Sequence, residues 1–287
     1  MQEEKVESTC YAFADVRGSY PLFRYIVEDV ICVAKYYPRE EKWTWLANTD
    51  TTVICMGNFV HPNLVSKKDS LYVIRAIEVL SDISDGKFIT LMGTTEIDLI
   101  RNHYNNKFVK DVLVPFCSKN GLMVRWANFI FTHASIESDF LKSILFKNIQ
   151  QLNKSWKRWS TSVNQKRLTQ LDQDDSIINS KMVAEKSEYW KSEILEDVRS
   201  LLVSHDNPLL FVHSNVPVSQ LTNTIRMEPV KGGEGMVLKG DYGQNLVYFI
   251  NNQMWKEDNN PQALKIKATY NGEYFEFSSA TLVNKIW

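Results

Sequence analysis

Short apolar runs along the first half of the chain stop abruptly in polar or glycine residues, and each is followed by apolar positions at helical spacing. Cys10 to Ala14 ends at Asp15-Val16-Arg17-Gly18, and Leu22, Ile26, Val30 and Val33 then recur with the helix period. Thr52 to Met56 ends at Gly57-Asn58, with Leu71, Ile74, Ile77 and Leu80 beyond it. Phe88 to Met92 ends at Gly93-Thr94-Thr95-Glu96, ahead of Ile97 and Ile100. Asn128 to Thr132 ends at His133, followed by Phe140, Leu141, Ile144 and Leu145. Strand-sized runs alternating with helices predict an α/β fold with largely parallel central strands. The run ends lie roughly 40 residues apart, room for one crossover unit of about 30 or more residues.

The pattern changes between about 148 and 196, which is polar, mixed in charge and without a convincing strand. This stretch reads as a helical insertion. From about 209 the chain is rich in strands. Leu209 to Val212 ends at His213-Ser214, and strand-like pieces follow at Thr224 to Pro229, Met236 to Lys239, Leu246 to Ile250, Leu264 to Tyr270 and Tyr274 to Phe277. Asn271-Gly272 is a hairpin signal, so the tail is expected to be antiparallel. No linker or repeat divides the sequence, and residues 1–287 read as one domain.

In open α/β sheets, ligands bind beyond the carboxyl ends of the strands. That rule gathers Asp15, Arg17, Asn58, Thr94, Thr95, Glu96, His133 and His213 at one place. Two histidines and carboxylates at separate strand ends have the donor types of a metal centre. Taken singly, a histidine is more often a hydrogen-bonded structural residue than a ligand, and it is the shared position at strand ends that points to a metal.

The order of these strand ends resembles the motifs of calcineurin-like metallophosphoesterases, closest to the Ser/Thr-protein-phosphatase branch. Ala14-Asp15-Val16-Arg17-Gly18 is similar to GDxHG, and Gly57-Asn58-Phe59-Val60-His61-Pro62 to the start of GDxxDRG. Gly93-Thr94-Thr95-Glu96 is similar to GNHE, and Phe131-Thr132-His133-Ala134 and Val212-His213 to its two strands ending in histidine. The resemblance covers roughly Tyr11 to Ser214. It implies a four-layer sandwich of two mixed β-sheets flanked by helices, and in the family a pair of metal ions that activates water.

Against that pattern, the changed residues imply loss. Arg17 stands at a ligating histidine and, as a permanent cation, cannot bind a metal ion. It is expected to pair with Asp15 in the metal's place. Asn58 replaces the anionic bridge with a neutral amide. Thr94 replaces an amide ligand, and Thr95 the histidine acid, with a hydroxyl too weak an acid for that role. His61 and Pro62 replace the family's aspartate and arginine. The expectation is a pseudophosphatase, a binding, scaffold or structural subunit with protein partners in a larger assembly and no cofactor. The alternative is an active phosphoesterase with a single zinc, manganese or iron ion on His133 and His213, with Asp15 or Glu96 as carboxylate.

Lys154, Trp156, Lys157, Arg158 and Trp159, with Lys166 and Arg167 beyond, form a basic stretch with interleaved aromatics that would suit nucleic acid. An amphipathic helix with buried tryptophans and a solvated charged face is the reading preferred over that third function. Lys plus Arg at 33 against Asp plus Glu at 34 gives no global basic excess of the kind nucleic-acid domains carry. The four cysteines form no CxxC pair, which argues against a zinc ribbon or disulfide framework. The polar amino terminus and the lack of a membrane-length apolar run lead to the expectation of a soluble, unsecreted protein of the cytoplasm or another reducing compartment.

Overall fold

A computed structural model describes residues 6–64, 67–133, 149–163, 166, 168, 210–214, 227–231, 236–239, 245–249, 261–270 and 275–284. The first strand, β1 (Val6–Phe13), leads into α1 (Tyr20–Tyr25), whose N-cap Ser19 accepts from the Leu22 N–H at 3.3 Å. The helix continues as a π-helical turn over Ile26–Val30 and then breaks at Cys32, which has φ 55°. Val33, expected on the helix, therefore lies outside it, and Ala34 opens β2. The hairpin of β2 (Ala34–Tyr37) and β3 (Lys42–Trp45) was not foreseen, because its strands are only four residues each.

After β4 (Thr51–Cys55), α2 (Lys67–Ile83) buries Val73, Ile74, Ile77 and Leu80. Next come β5 (Phe88–Thr90), α3 (Thr94–His103), and α4 (Val114–Lys119), which follows a π-helical turn over Val109–Leu113. The strands β6 (Met123–Trp126) and β7 (Phe129–Thr132) form a second hairpin. One helix, α5 (Ile149–Ser162), is described in the expected insertion; positions 169–196 lie outside the described residues, as do Phe140, Leu141, Ile144 and Leu145. The later strands are β8 (Leu210–His213), β9 (Met227–Pro229), β10 (Met236–Lys239), β11 (Asn245–Phe249), β12 (Gln262–Tyr270) and β13 (Phe275–Asn284).

Two mixed sheets result, ordered β13-β12-β1-β4-β5 and β6-β7-β8-β11-β10-β9. β1, β4 and β5 run parallel, as do β7, β8 and β11. The tail is antiparallel within itself but divides between the sheets: β9 to β11 extend the second and β12–β13 the first, with β11 lying parallel to β8.

Strand alternation sets the layers. On β1, Cys10 and Ala12 face the second sheet, where they meet Phe129, Phe131, Val212 and Tyr248, while Phe13 turns toward Phe23 and Phe88 under the helices. On β7, Ile130 faces the other way, into the cluster with Leu152 and Trp156 of α5. Small side chains on the inner face of β1 let the aromatic face of the second sheet approach. The fold is α/β, two mixed sheets packed face to face with helices outside, as the sequence pattern and the resemblance implied.

Candidate functional site at the strand ends

The chain leaves β1 and β4 through left-handed backbone. Asp15 (φ 60°), Arg17 (φ 43°) and Asn58 (φ 55°) all adopt it, a conformation that non-glycine residues other than Asn and Asp seldom take. The two turns run side by side. Asp15 N–H donates to the Gly57 carbonyl at 3.1 Å, and Arg17 N–H to the Asn58 carbonyl at 2.9 Å. Glycine is required where the turns after β4 and β5 touch. A Cβ on Gly57 would lie 2.6 Å from the Gly93 nitrogen, and one on Gly93 would lie 2.6 Å from Asn58 Oδ1 and 3.0 Å from His133 Cε1. Asn58, Gly93 and His133 therefore converge on one point.

Glu96 braces these turns. Its Oε2 accepts from the N–H groups of Asn58 and Gly93, both at 2.9 Å, and its Oε1 from those of Phe59 at 3.0 Å and Val60 at 3.2 Å. The side chain is fully buried. Burial raises the pKa of its carboxyl, while the backbone N–H groups pull it down. Glu96, considered as a metal carboxylate, thus has both oxygens engaged by backbone.

Asp15 is also fully buried. Its Oδ1 accepts from Asn58 Nδ2 at 2.8 Å and from Arg17 Nε at 3.2 Å. Oδ2 has no hydrogen-bond partner among the described residues. Burial pushes the carboxyl from 3.8 up to about 7, against the opposing pull of the Arg17 charge and the Asn58 and Arg17 hydrogen bonds. Asn58 points its amide NH2 at Asp15, because its Oδ1 is turned the other way. That oxygen accepts from Thr95 N–H at 2.9 Å and Thr94 Oγ1 at 3.2 Å, at the start of α3. Both threonines thereby lie beside Asn58, and the Thr95 side chain is buried.

His133 enters from the second sheet. It is fully buried, and its Nδ1 lies 2.7 Å from the Met56 carbonyl at the end of β4. A carbonyl only accepts, so Nδ1 carries a proton, and in the neutral imidazole Nε2 then carries the lone pair. Ser214 completes the clasp: its N–H donates to the His133 carbonyl at 3.1 Å and its Oγ sits 3.3 Å from Nδ1. Ser214 was not among the site residues expected from the sequence; its position directly after the His213 strand end was the available signal. His213 closes β8 opposite Phe249, and its side chain lies outside the described residues. His61 is held at the edge of the site, its N–H on Ser70 Oγ at 3.0 Å and its Nδ1 accepting from Asn63 N–H at 3.2 Å. Among the described residues no three His, Cys, Asp or Glu side chains are grouped to hold a metal ion.

Two other features lie away from this cluster. Trp156 is fully buried in α5 and donates through Nε1 to the Cys117 carbonyl at 2.9 Å, while Trp159 packs half-buried on the core. Lys154, Lys157 and Arg158 are exposed on the outer face of the same helix. A surface cavity of about 550 Å³ lies between α2 and α4, lined by residues such as Arg75, Val79, Phe116 and Lys119, and none of the strand-end residues reach it.

No protein-family model matches the sequence, and no curated protein matches it. Solved structures do. A cold-active protein-tyrosine phosphatase of a psychrophilic Shewanella species superposes over 94% of this chain and 80% of its own, at 12% identity and a TM-score of 0.60. A protein serine/threonine phosphatase from Saccharomyces cerevisiae aligns over 98% of this chain and 81% of its own, at 10% identity and a TM-score of 0.50. The chain shares the fold of these phosphatases. The likeness spans nearly the whole sequence. No helix among the described residues is long and apolar enough to cross a membrane.

Proposed function

We propose that this protein keeps a phosphatase fold as a scaffold and acts as a binding or structural subunit for protein partners, without the two-metal chemistry of that fold. One observation carries the reading: the Arg17 guanidinium lies on the Asp15 carboxylate, and Asn58 directs its NH2 at the same oxygen. A pair of divalent cations needs anionic oxygen between and around the ions. Here one of the two groups beside the carboxylate is already a cation, and the other presents its donor end. Asn58 cannot turn its oxygen inward without abandoning Thr95 N–H. The residues present do not fit a binuclear centre, so no catalytic step is assigned to one.

A second reading, a single divalent ion with residual phosphoester hydrolysis, is favoured by the His133 tautomer. With Nδ1–H on the Met56 carbonyl, the neutral ring has its lone pair on Nε2, the form in which histidine ligates metals. Metal analysis of the purified protein, with an aryl-phosphate assay across zinc, manganese and iron, separates the two. The scaffold reading expects substoichiometric metal and background turnover. Stoichiometric tightly bound metal, with turnover abolished by changing His133 or His213, would overturn it.

A further inference from the structure

Between Asp139 and Asp172 the sequence holds no acidic residue, although Lys and Arg almost balance Asp and Glu over the whole chain. The cations of this stretch include Lys154, Lys157, Arg158, Lys166 and Arg167. Three of them fall on α5 at i, i+3 and i+4, which places them on one face of the helix. All three are exposed, and Thr161 continues the same ridge one turn on. Elsewhere Arg24, Lys119 and Lys267 each meet a carboxylate, at 2.6, 3.1 and 2.6 Å. Among the described residues no carboxylate lies within ion-pairing distance of Lys154, Lys157 or Arg158.

Contacts on the other sides of α5 hold the helix in place. Leu152 and Trp156 are buried, and Asn153 bridges to β6 with Oδ1 accepting from Leu122 N–H at 2.9 Å and Nδ2 donating to the Met123 carbonyl at 2.8 Å. Arg158 is steadied by Ser155 Oγ at 3.3 Å. A helix already held by its own packing has little backbone freedom left to lose when a partner arrives.

We infer that the outer face of α5 is a docking surface for an acidic protein segment, in particular a helix presenting Glu or Asp at matching i, i+3 and i+4 positions. Charge complementarity and spacing both support this occupant. A partner helix repeats its carboxylates at the pitch at which α5 repeats its cations. Nucleic acid fits less well. Single strands are held by base stacking on exposed aromatic rings, yet Trp156 is fully buried and Trp159 packs on the core. Duplex binders usually engage about 6 to 10 phosphates, whereas this ridge offers three cations over about 6 Å of helix.

The inference deepens the scaffold reading by naming the partner's chemistry, but its test involves neither metal nor turnover, so either can fail alone. Fluorescence anisotropy of the full chain would be measured at 50 and 300 mM salt with three probes: a labelled helical peptide carrying Glu at i, i+3 and i+4 on one face, its Glu-to-Gln counterpart, and DNA oligonucleotides, single- and double-stranded. The acidic peptide should bind, weaken with salt, and lose about tenfold in affinity, some 1.4 kcal/mol, in the Lys154→Glu/Lys157→Glu/Arg158→Glu variant. The milder Lys154→Gln/Lys157→Gln variant guards against misfolding, with thermal unfolding as the control. Equal binding of the Gln peptide, indifference to both variants, or no binding at 50 mM salt would overturn the assignment. Tighter binding of either DNA than of the acidic peptide would overturn it in favour of nucleic acid.

Discussion

Replacing Glu96 with glutamine tests whether the strand-end turns are held by protein groups alone. The wild-type carboxylate accepts four backbone N–H bonds, two on each oxygen, at 2.9 to 3.2 Å in a fully buried site. Glutamine has the same shape but keeps only one acceptor oxygen. Its NH2 must face two N–H donors, whichever way the amide is turned. Each lost bond to a charged acceptor is worth about 1.5–3 kcal/mol, so the change should cost about 3–6 kcal/mol. For a chain of this length that is a fall in Tm on the order of 10 °C. The assay is thermal unfolding followed by circular dichroism, run with chelator and again with added manganese or zinc, with surface Glu78→Gln as control. Equal losses in both solutions would place the effect in the hydrogen bonds. A fall below about 2 °C would refute the reasoning, because four buried N–H groups cannot lose half their acceptors so cheaply.

Further outcomes follow from the same cluster. Asp15 titrates near 7 when folded against 3.8 as a free side chain, so between those values the folded state holds a proton that the unfolded chain has released. Linkage then makes stability fall as pH rises from about 4 to about 7, by at most about 4 kcal/mol. Asp15→Asn should flatten that slope and raise Tm at pH 8; a lower Tm at pH 8 would mean that the Arg17 and Asn58 contacts outweigh the cost of burying the charge. Gly93→Ala should destabilise by about 1–3 kcal/mol in urea titrations, because the new Cβ meets the Asn58 backbone nitrogen at 2.7 Å, which no rotamer change relieves. Arg17→His with Asn58→Asp supplies a carboxylate and an imidazole beside Asp15 in place of the guanidinium and the amide. Calorimetric titration with manganese should then show an uptake that the parent lacks.

Much of this architecture was legible in one dimension. Runs such as Thr52 to Met56 are apolar on both faces because β4 is covered on one side by helices and on the other by the second sheet, and a strand so buried needs no alternation. Their abrupt polar ends marked the turns that meet at the carboxyl edge of the sheet, where the chain emerges from it. Even the Arg17–Asp15 contact was foreseeable, two residues apart at one strand end with opposite charges. The hairpin at Ala34–Trp45 was not, its strands being too short for a period to register.

Tertiary structure alone decided what each polar residue does. Glu96 follows its strand end as a ligand would, yet it is turned onto the Asn58 and Gly93 turns by backbone donors 3 to 38 positions away. His133 is bound to Met56, on the other sheet, 77 residues earlier. The amphipathic character of α5, with tryptophans inward and Lys154, Lys157 and Arg158 outward, was legible in the sequence, but the packing of Trp156 against α4 and its bond to the Cys117 carbonyl were not. The sequence by itself determined where apolar burial must occur and which groups gather at the strand ends, because periodicity and chain order are local. Which donor meets which acceptor depends on how the sheets and helices pack, and that is settled only when the chain is closed on itself.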